Sequence, residues 1–73
     1  MISPWYAVRH ELGLPLNFPL QLGQLHVDCD AFIAKFNDQH YNQEKHFKAF
    51  VANFPAFSVG DSCDIRRQLI LYL

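Results

Sequence analysis

The sequence lacks the features that define several special classes of protein. With 3 Gly and 4 Pro in 73 residues, it is neither collagen-like nor of low complexity. Charged residues make up only 18% of the chain and hydrophobic residues 51%, which excludes intrinsic disorder. No apolar run reaches the roughly 18 residues of a membrane span, and the first residues lack the cationic and apolar regions of a secretory signal. These absences predict a single cytoplasmic domain over residues 1–73 that makes no contact with a membrane.

Clustered cations and a cysteine framework are also missing. The 6 Lys and Arg residues are scattered among 7 Asp and Glu residues, whereas a nucleic-acid interface needs a clustered cationic face. We therefore expect no nucleic-acid partner. Cys29 and Cys63 are too few for a disulfide framework, and in a reducing cytosol we expect both to be free thiols.

The sequence does contain a series of helix-capping residues and helical repeats. The predicted N-caps, whose side chains accept hydrogen bonds from free backbone N–H groups, are Ser3, Asp28, Asn42 and Asp61. Pro4 and Gly13 are typical of the two ends of a helix and predict the first helix over about 4–12. Phenylalanines at helical spacing, which run from Phe47 to Phe54 and end before Pro55, predict the third helix. Together these signals predict a small all-α bundle of four helices with a long apolar loop after the first.

That loop and the last residues of the chain are the most apolar segments. Residues 14–25 alternate with a period of two, as in a strand, but Pro15 and Pro19 remove backbone donors. We predict an extended arm packed across the helices, with a short edge strand as the alternative. Residues 69–73 are all apolar and are compatible with a helix or a strand.

Together the arm and the tail offer more apolar surface than four short helices readily cover. This surplus predicts association with a protein partner or with a second copy as a homodimer. The alternative is a monomer that folds the tail into its own core. The predicted interface residues are Leu16, Phe18, Leu20, Leu71, Tyr72 and Leu73.

Short motifs follow one another in a recognisable order. Leu22-Gly23 and the stretch Val27-Asp-Cys-Asp30 stand where an L-G-x-D-S-L segment is expected, and Phe57-Ser-Val-Gly-Asp61 is similar to a T-V-G-D helix opening. These motifs resemble those of acyl carrier proteins. The run Phe32-Ile-Ala-Lys-Phe36 with the later Phe54-Pro55 is similar to a family of uncharacterised bacterial carrier-like proteins. The resemblance covers most of residues 5–72 and implies a carrier-like helical bundle in a bacterial protein.

One departure from the carrier pattern decides what the resemblance implies for function. A working carrier attaches phosphopantetheine to a serine at the start of its second helix, but Cys29 stands at that position here, with no serine from 4 to 57. Carriers are also strongly acidic along that helix, whereas after Asp30 this segment offers only Asp38 against Lys35. We therefore expect no prosthetic group, no other cofactor and no enzymatic activity. The predicted function is a small binding or regulatory module that acts through protein–protein contact.

A metal or thiol site is the alternative. Its residues would be His26, Asp28, Cys29 and Asp30, which offer the N, S and O ligands that zinc accepts. His26 and Asp28 are the metal candidates, although their spacing matches no common zinc pattern. A helix N-terminus lowers the pKa of a thiol, so Cys29 beside a base such as His26 would be a candidate nucleophile. The simpler interpretation is that Asp28 caps a helix and Cys29 is a small buried residue.

Overall fold

The computed structural model of the chain describes residues 3–17 and 19–71. Within them lie four α-helices, α1 (Pro4–Glu11), α2 (Leu22–Phe36), α3 (Lys45–Asn53) and α4 (Ser62–Ile70). Two 3-10 turns, Tyr41–Gln43 and Pro55–Val59, precede and follow α3, and the described residues contain no strand. The prediction of a small all-α four-helix bundle is confirmed. None of the helices in this part of the chain is long and apolar enough to cross a bilayer.

The capping residues predicted for the first and last helices are confirmed. The Ser3 hydroxyl accepts a hydrogen bond of 3.2 Å from the backbone N–H of Trp5, and Pro4 occupies the first helical turn. Gly13 adopts a φ of 71° just after α1, a left-handed conformation that ends the helix at little steric cost. The Asp61 carboxylate accepts from the N–H groups of Cys63 and Asp64 at the start of α4.

The predicted start of the second helix is wrong. Helix α2 begins at Leu22, six residues before Asp28, and its N-cap residue Gln21 makes no side-chain capping bond. Leu22, Leu25 and Cys29 continue a helical repeat that runs on to Phe32, so the period of 3.6 residues extends back into the predicted arm. The leucines before Leu22 alternate with a period of two, so the helical repeat that begins at Leu22 is not apparent from the sequence. The arm is therefore shorter than 14–25, and the predicted edge strand does not form in the described part of it.

The predicted cap of the third helix is also wrong, although the end of that helix is confirmed. Glu44, not Asn42, is the N-cap residue of α3. Asn42 lies in the preceding 3-10 turn, where its side-chain amide donates to the carbonyl of Phe36 at 3.3 Å. Helix α3 ends at Asn53, and Pro55 opens the next turn, as the phenylalanine repeat and the proline predict.

Aromatic rings dominate the core. The ring of Phe32 lies 5.2 Å from that of Phe50 and 5.7 Å from that of Phe57, measured between centroids. Such tilted ring pairs add to the free energy gained from area burial alone. The buried apolar residues are Trp5, Val8, Leu25, Cys29, Phe32, Phe47, Phe50, Phe57, Ile65 and Leu69. All four helices contribute to this set, so the bundle has one continuous core.

The contacts between helices explain the long connection after α1. The Lys35 ammonium donates to the carbonyl of Glu11, which places the end of α1 beside the end of α2. Helices α1 and α2 therefore run in the same direction. The chain must travel back along their length between the end of α1 and the start of α2. The segment 12–21 makes that return, and the Arg9 guanidinium holds it by donating to the carbonyl of Pro15 at 2.8 Å.

Candidate functional site

The residues of the predicted metal or thiol site are divided between the core and the surface. Asp28 is fully buried in the middle of α2, where its carboxylate accepts three hydrogen bonds. The donors are the Trp5 indole at 2.7 Å, the Arg9 guanidinium at 2.8 Å and the Gln24 amide at 2.9 Å. This carboxylate links α1 to α2 and does not cap a helix.

Cys29 is fully buried beside Asp28, and its Sγ lies 4.0 Å from the carbonyl oxygen of Ser62. Burial raises the pKa of the Cys29 thiol, with the positive charge of Arg66 acting in the opposite direction. A raised pKa keeps the sulfur protonated, whereas a nucleophilic cysteine needs a lowered one. The geometry therefore favours the simple alternative for Cys29, a small buried residue.

His26 is half-buried and Asp30 is exposed, and Arg66 of α4 contacts both. The Arg66 guanidinium is 2.8 Å from Nδ1 of His26 and donates to the Asp30 carboxylate at 2.7 Å. These contacts fasten α4 against α2. Among the described residues, no group of three or more His, Cys, Asp or Glu side chains is placed to hold a metal ion.

A groove of about 1050 Å³ lies between α1 and α3. It is lined by Ser3, Tyr6, Ala7, His10, Glu11, Leu16, His46, Ala49, Phe50, Asn53 and Phe54. On each helix these residues repeat at intervals of three and four, so the groove is bounded by one continuous stripe from α1 and one from α3. The end of α1 lies beside the start of α3, since the Glu11 carboxylate is 3.7 Å from Nε2 of His46. The two helices therefore run in opposite senses along the groove.

The middle of the groove is apolar and sterically open. Ala7 and Ala49 supply the smallest side chains of the two stripes, and Phe50 and Phe54 supply aromatic surface. Leu16 reaches the groove from the segment that follows α1, with 42% of its surface exposed. One predicted interface residue thus lies at this site.

A hydrogen-bonded cluster forms the polar end of the groove. The Tyr41 hydroxyl donates to the Glu11 carboxylate, whose side chain is only 10% exposed. Burial, followed by the hydrogen bond to Glu11, raises the pKa of the Tyr41 phenol, so the hydroxyl remains a donor. The Lys35 ammonium stands 5.0 Å from the centre of the Tyr41 ring, and the His46 ring contacts the same ring edge-on. The Glu11 carboxylate thus accepts the Tyr41 hydroxyl and lies 3.7 Å from Nε2 of His46, while Lys35 donates to the Glu11 main-chain carbonyl.

The remaining predicted interface residues are not gathered at the groove. Leu20 packs partly buried against the core, and Leu71 lies at the end of α4, 73% exposed and outside the groove lining. Phe18, Tyr72 and Leu73 lie outside the described residues. The predicted surface therefore consists of separate parts, of which Leu16 belongs to the groove.

Sequence reasoning missed most of the groove, although a signal for it was present. The buried face of α1 carries Trp5 and Val8, whereas the capping residues predict only the extent of this helix. The second stripe, Ser3, Tyr6, Ala7 and His10, follows the same helical spacing on the opposite side. On α3 the phenylalanine repeat predicts the helix itself, and Phe50 lies in the core while also bordering the groove.

Comparison with protein-family models, with curated proteins and with solved structures finds no match to this chain. The geometry of the groove is therefore the basis on which a function is proposed.

Proposed function

We propose that this chain is a small non-enzymatic binding or regulatory module that acts through protein–protein contact in the cytoplasm. Its groove between α1 and α3 holds an amphipathic helix of a partner protein. The observation that carries the proposal is the groove itself, an apolar channel bounded by two antiparallel helical stripes. A helix laid in a hydrophobic groove is a common mode of peptide recognition.

The dimensions of the groove fit a helix. Helix α1 has 8 residues, and at about 1.5 Å per residue it borders roughly 12 Å of groove, or about two turns of a bound helix. Ala7 and Ala49 leave room for the backbone of that helix to approach. A site for a small molecule encloses most of its ligand, whereas this groove lies along the surface between two helices.

The resemblance to acyl carrier proteins is part of this proposal. It suggests a carrier-like module, in a bacterial protein, that has kept a partner-binding role without a prosthetic group. The burial of Cys29 supports the proposed lack of a prosthetic group, because a fully buried thiol offers no attachment point for phosphopantetheine. Asp28 beside it is equally inaccessible.

A modest affinity is expected for a groove of this length. Two or three aliphatic side chains of the partner would be buried, each contributing roughly 1.5–3 kcal/mol. Part of that free energy is offset by the loss of translational and rotational freedom on binding. We therefore expect a dissociation constant weaker than micromolar, between about 10 μM and 1 mM.

The test uses a fluorescein-labelled model helix with leucines at i, i+3, i+4 and i+7 and glutamines on its other faces. Fluorescence anisotropy measures its binding to the full chain and to two variants of α3. Ala49→Asp places a charge in the groove, whereas Ala52→Asp places the same charge on an exposed part of α3 that does not line the groove. We expect binding to weaken at least tenfold, or about 1.4 kcal/mol, in the first variant and less than twofold in the second.

Circular dichroism of both variants checks that each retains the helical fold. Equal affinities for the two variants, or no binding of the peptide to the wild-type chain at about 1 mM, would contradict the proposed function.

A further inference from the structure

The segment that follows α1 contributes one apolar side chain, Leu16, to the groove. Resting on the proposed function, we infer that Leu16 contacts the partner helix and that Arg9, which does not line the groove, is the residue that positions it. Leu16 lines the groove with 42% of its surface exposed. It therefore retains apolar area that a bound helix would bury.

The turn after α1 sets the path that brings Leu16 back to the groove. The N–H of Gly13, whose φ is 71°, donates to the carbonyl of His10 at 3.1 Å. The N–H of Leu14 donates to the carbonyl of Arg9 at 2.9 Å. This pair of hydrogen bonds is a Schellman motif, in which a left-handed glycine ends a helix. The chain therefore leaves α1 along a defined path, and Arg9 already holds its first residues.

The side chain of Arg9 holds the next part of that path. Its Nε donates to the carbonyl of Pro15 at 2.8 Å, while its Nη1 donates to the buried Asp28 carboxylate at 2.8 Å. The Arg9 side chain is only 5% exposed. Consecutive Cα atoms are about 3.8 Å apart, so Leu16 directly follows an anchored residue. One guanidinium thus connects the ion pair of the core with the rim of the groove.

This connection depends on two different nitrogen atoms of the same planar group. Because the guanidinium of an arginine is rigid, its pairing with Asp28 also fixes the direction in which Nε donates. A lysine carries a single ammonium nitrogen, which can pair with Asp28 but does not also occupy the position of Nε. Arg9→Lys should therefore keep a cation beside Asp28 and release Pro15, and Leu16 would lose its fixed position.

The experiment is a double-mutant cycle on Arg9 and Leu16, measured by anisotropy with the fluorescein-labelled leucine peptide. Leu16→Ala should weaken binding about fourfold, because it removes apolar area that the bound helix would cover. Arg9→Lys should weaken binding by a similar factor in the wild-type chain, but by less than about 1.5-fold in the Leu16→Ala chain. A general effect of Arg9 on the structure would instead weaken binding equally in both chains.

Leu71→Ala is the matched control, since Leu71 is exposed and does not line the groove. It should leave the affinity unchanged, and circular dichroism checks the fold of every variant. Full affinity in Leu16→Ala would overturn the inference and leave the proposed function standing. An Arg9→Lys chain that binds like the wild type, is weakened equally in both backgrounds or loses its helical fold would overturn the positioning role of Arg9. Failure of the peptide to bind the wild-type chain would overturn both the inference and the proposed function.

Discussion

At the scale of single residues, the most consequential contact is the ion pair between Arg9 and Asp28. The guanidinium and the carboxylate approach to 2.8 Å, and their side chains are only 5% and 1% exposed. Removing one member leaves the other charged and buried, a change that typically destabilises a protein by about 3–5 kcal/mol. We expect Asp28→Ala to lower the free energy of unfolding by about that amount in urea denaturation.

Asp64→Ala is the control for that measurement. Asp64 faces Arg67 at 3.5 Å with both side chains well exposed, so its loss should change stability by about 1 kcal/mol or less. Comparable losses from the two substitutions would contradict a dominant role for the buried pair.

Asp28 also shows where sequence reasoning reaches its limit. An aspartate before an apolar repeat is typical of a helix N-cap, and this local pattern was correct for Asp61. At Asp28 the determining partners are Trp5 and Arg9, which are 23 and 19 residues away in sequence. No local pattern signals a contact over that separation. Capping and periodicity therefore predicted the number of helices, the starts of α1 and α4 and the last residues of α1 and α3, but not the starts of α2 and α3 or the groove.

A pH dependence of stability follows from two further residues. The pKa of the Cys29 thiol is raised above its ordinary value of 9.0, and that of the Tyr41 phenol above 10.0. Each group therefore holds its proton more tightly in the folded state, and the stability this adds is fully present below the ordinary pKa values. As pH rises past about 9 and then 10, the unfolded chain loses these protons first, so the free energy of unfolding should fall.

Denaturation midpoints measured from pH 8 to 11 test this dependence. Tyr41→Phe should flatten the part of the curve above pH 10, because it removes the phenol proton, and Cys29→Ala should flatten the part that begins near pH 9. A midpoint that stays constant or rises over this range in the wild-type chain would contradict the prediction.

At the scale of elements, replacing two glycines near helix starts by alanine should have opposite effects on stability. Gly60, just before α4, has a φ of 71°, and a Cβ there would clash with the Phe36 ring. Gly23 lies near the start of α2, and a Cβ there would meet no atom within 4 Å. Alanine favours the helix over glycine by up to about 1 kcal/mol. We expect Gly23→Ala to raise the melting temperature and Gly60→Ala to lower it.

Thermal unfolding followed by circular dichroism distinguishes these outcomes. Both substitutions add the same methyl group. A difference between their melting temperatures therefore reflects the backbone conformation and the space available at each position. Stabilisation by Gly60→Ala would show that the turn before α4 does not require the left-handed conformation.

At the scale of the whole molecule, the remaining question is how the chain covers its exposed apolar residues. Ile70 and Leu71 at the end of α4 are exposed, as are Leu22 and Val27 of α2. The contacts of Arg66 with α2 show that α4 packs along α2, so these residues belong to one pair of helices. This pair does not contribute to the groove lining, and a second copy bound here would leave the groove free for a partner.

A homodimer formed through this pair of helices should weaken when Leu71 is replaced by Asp. Leu71 is 73% exposed, so the substitution should change the folding free energy by no more than about 0.5 kcal/mol, while a buried charge in the interface would oppose association. Sedimentation equilibrium at micromolar concentration is expected to show dimer for the wild-type chain and monomer for Leu71→Asp, with unchanged circular dichroism. Ala52→Asp on α3 introduces the same charge away from these helices and should leave the dimer intact. A wild-type chain that sediments as a monomer would show that the domain carries its exposed apolar residues without a second copy.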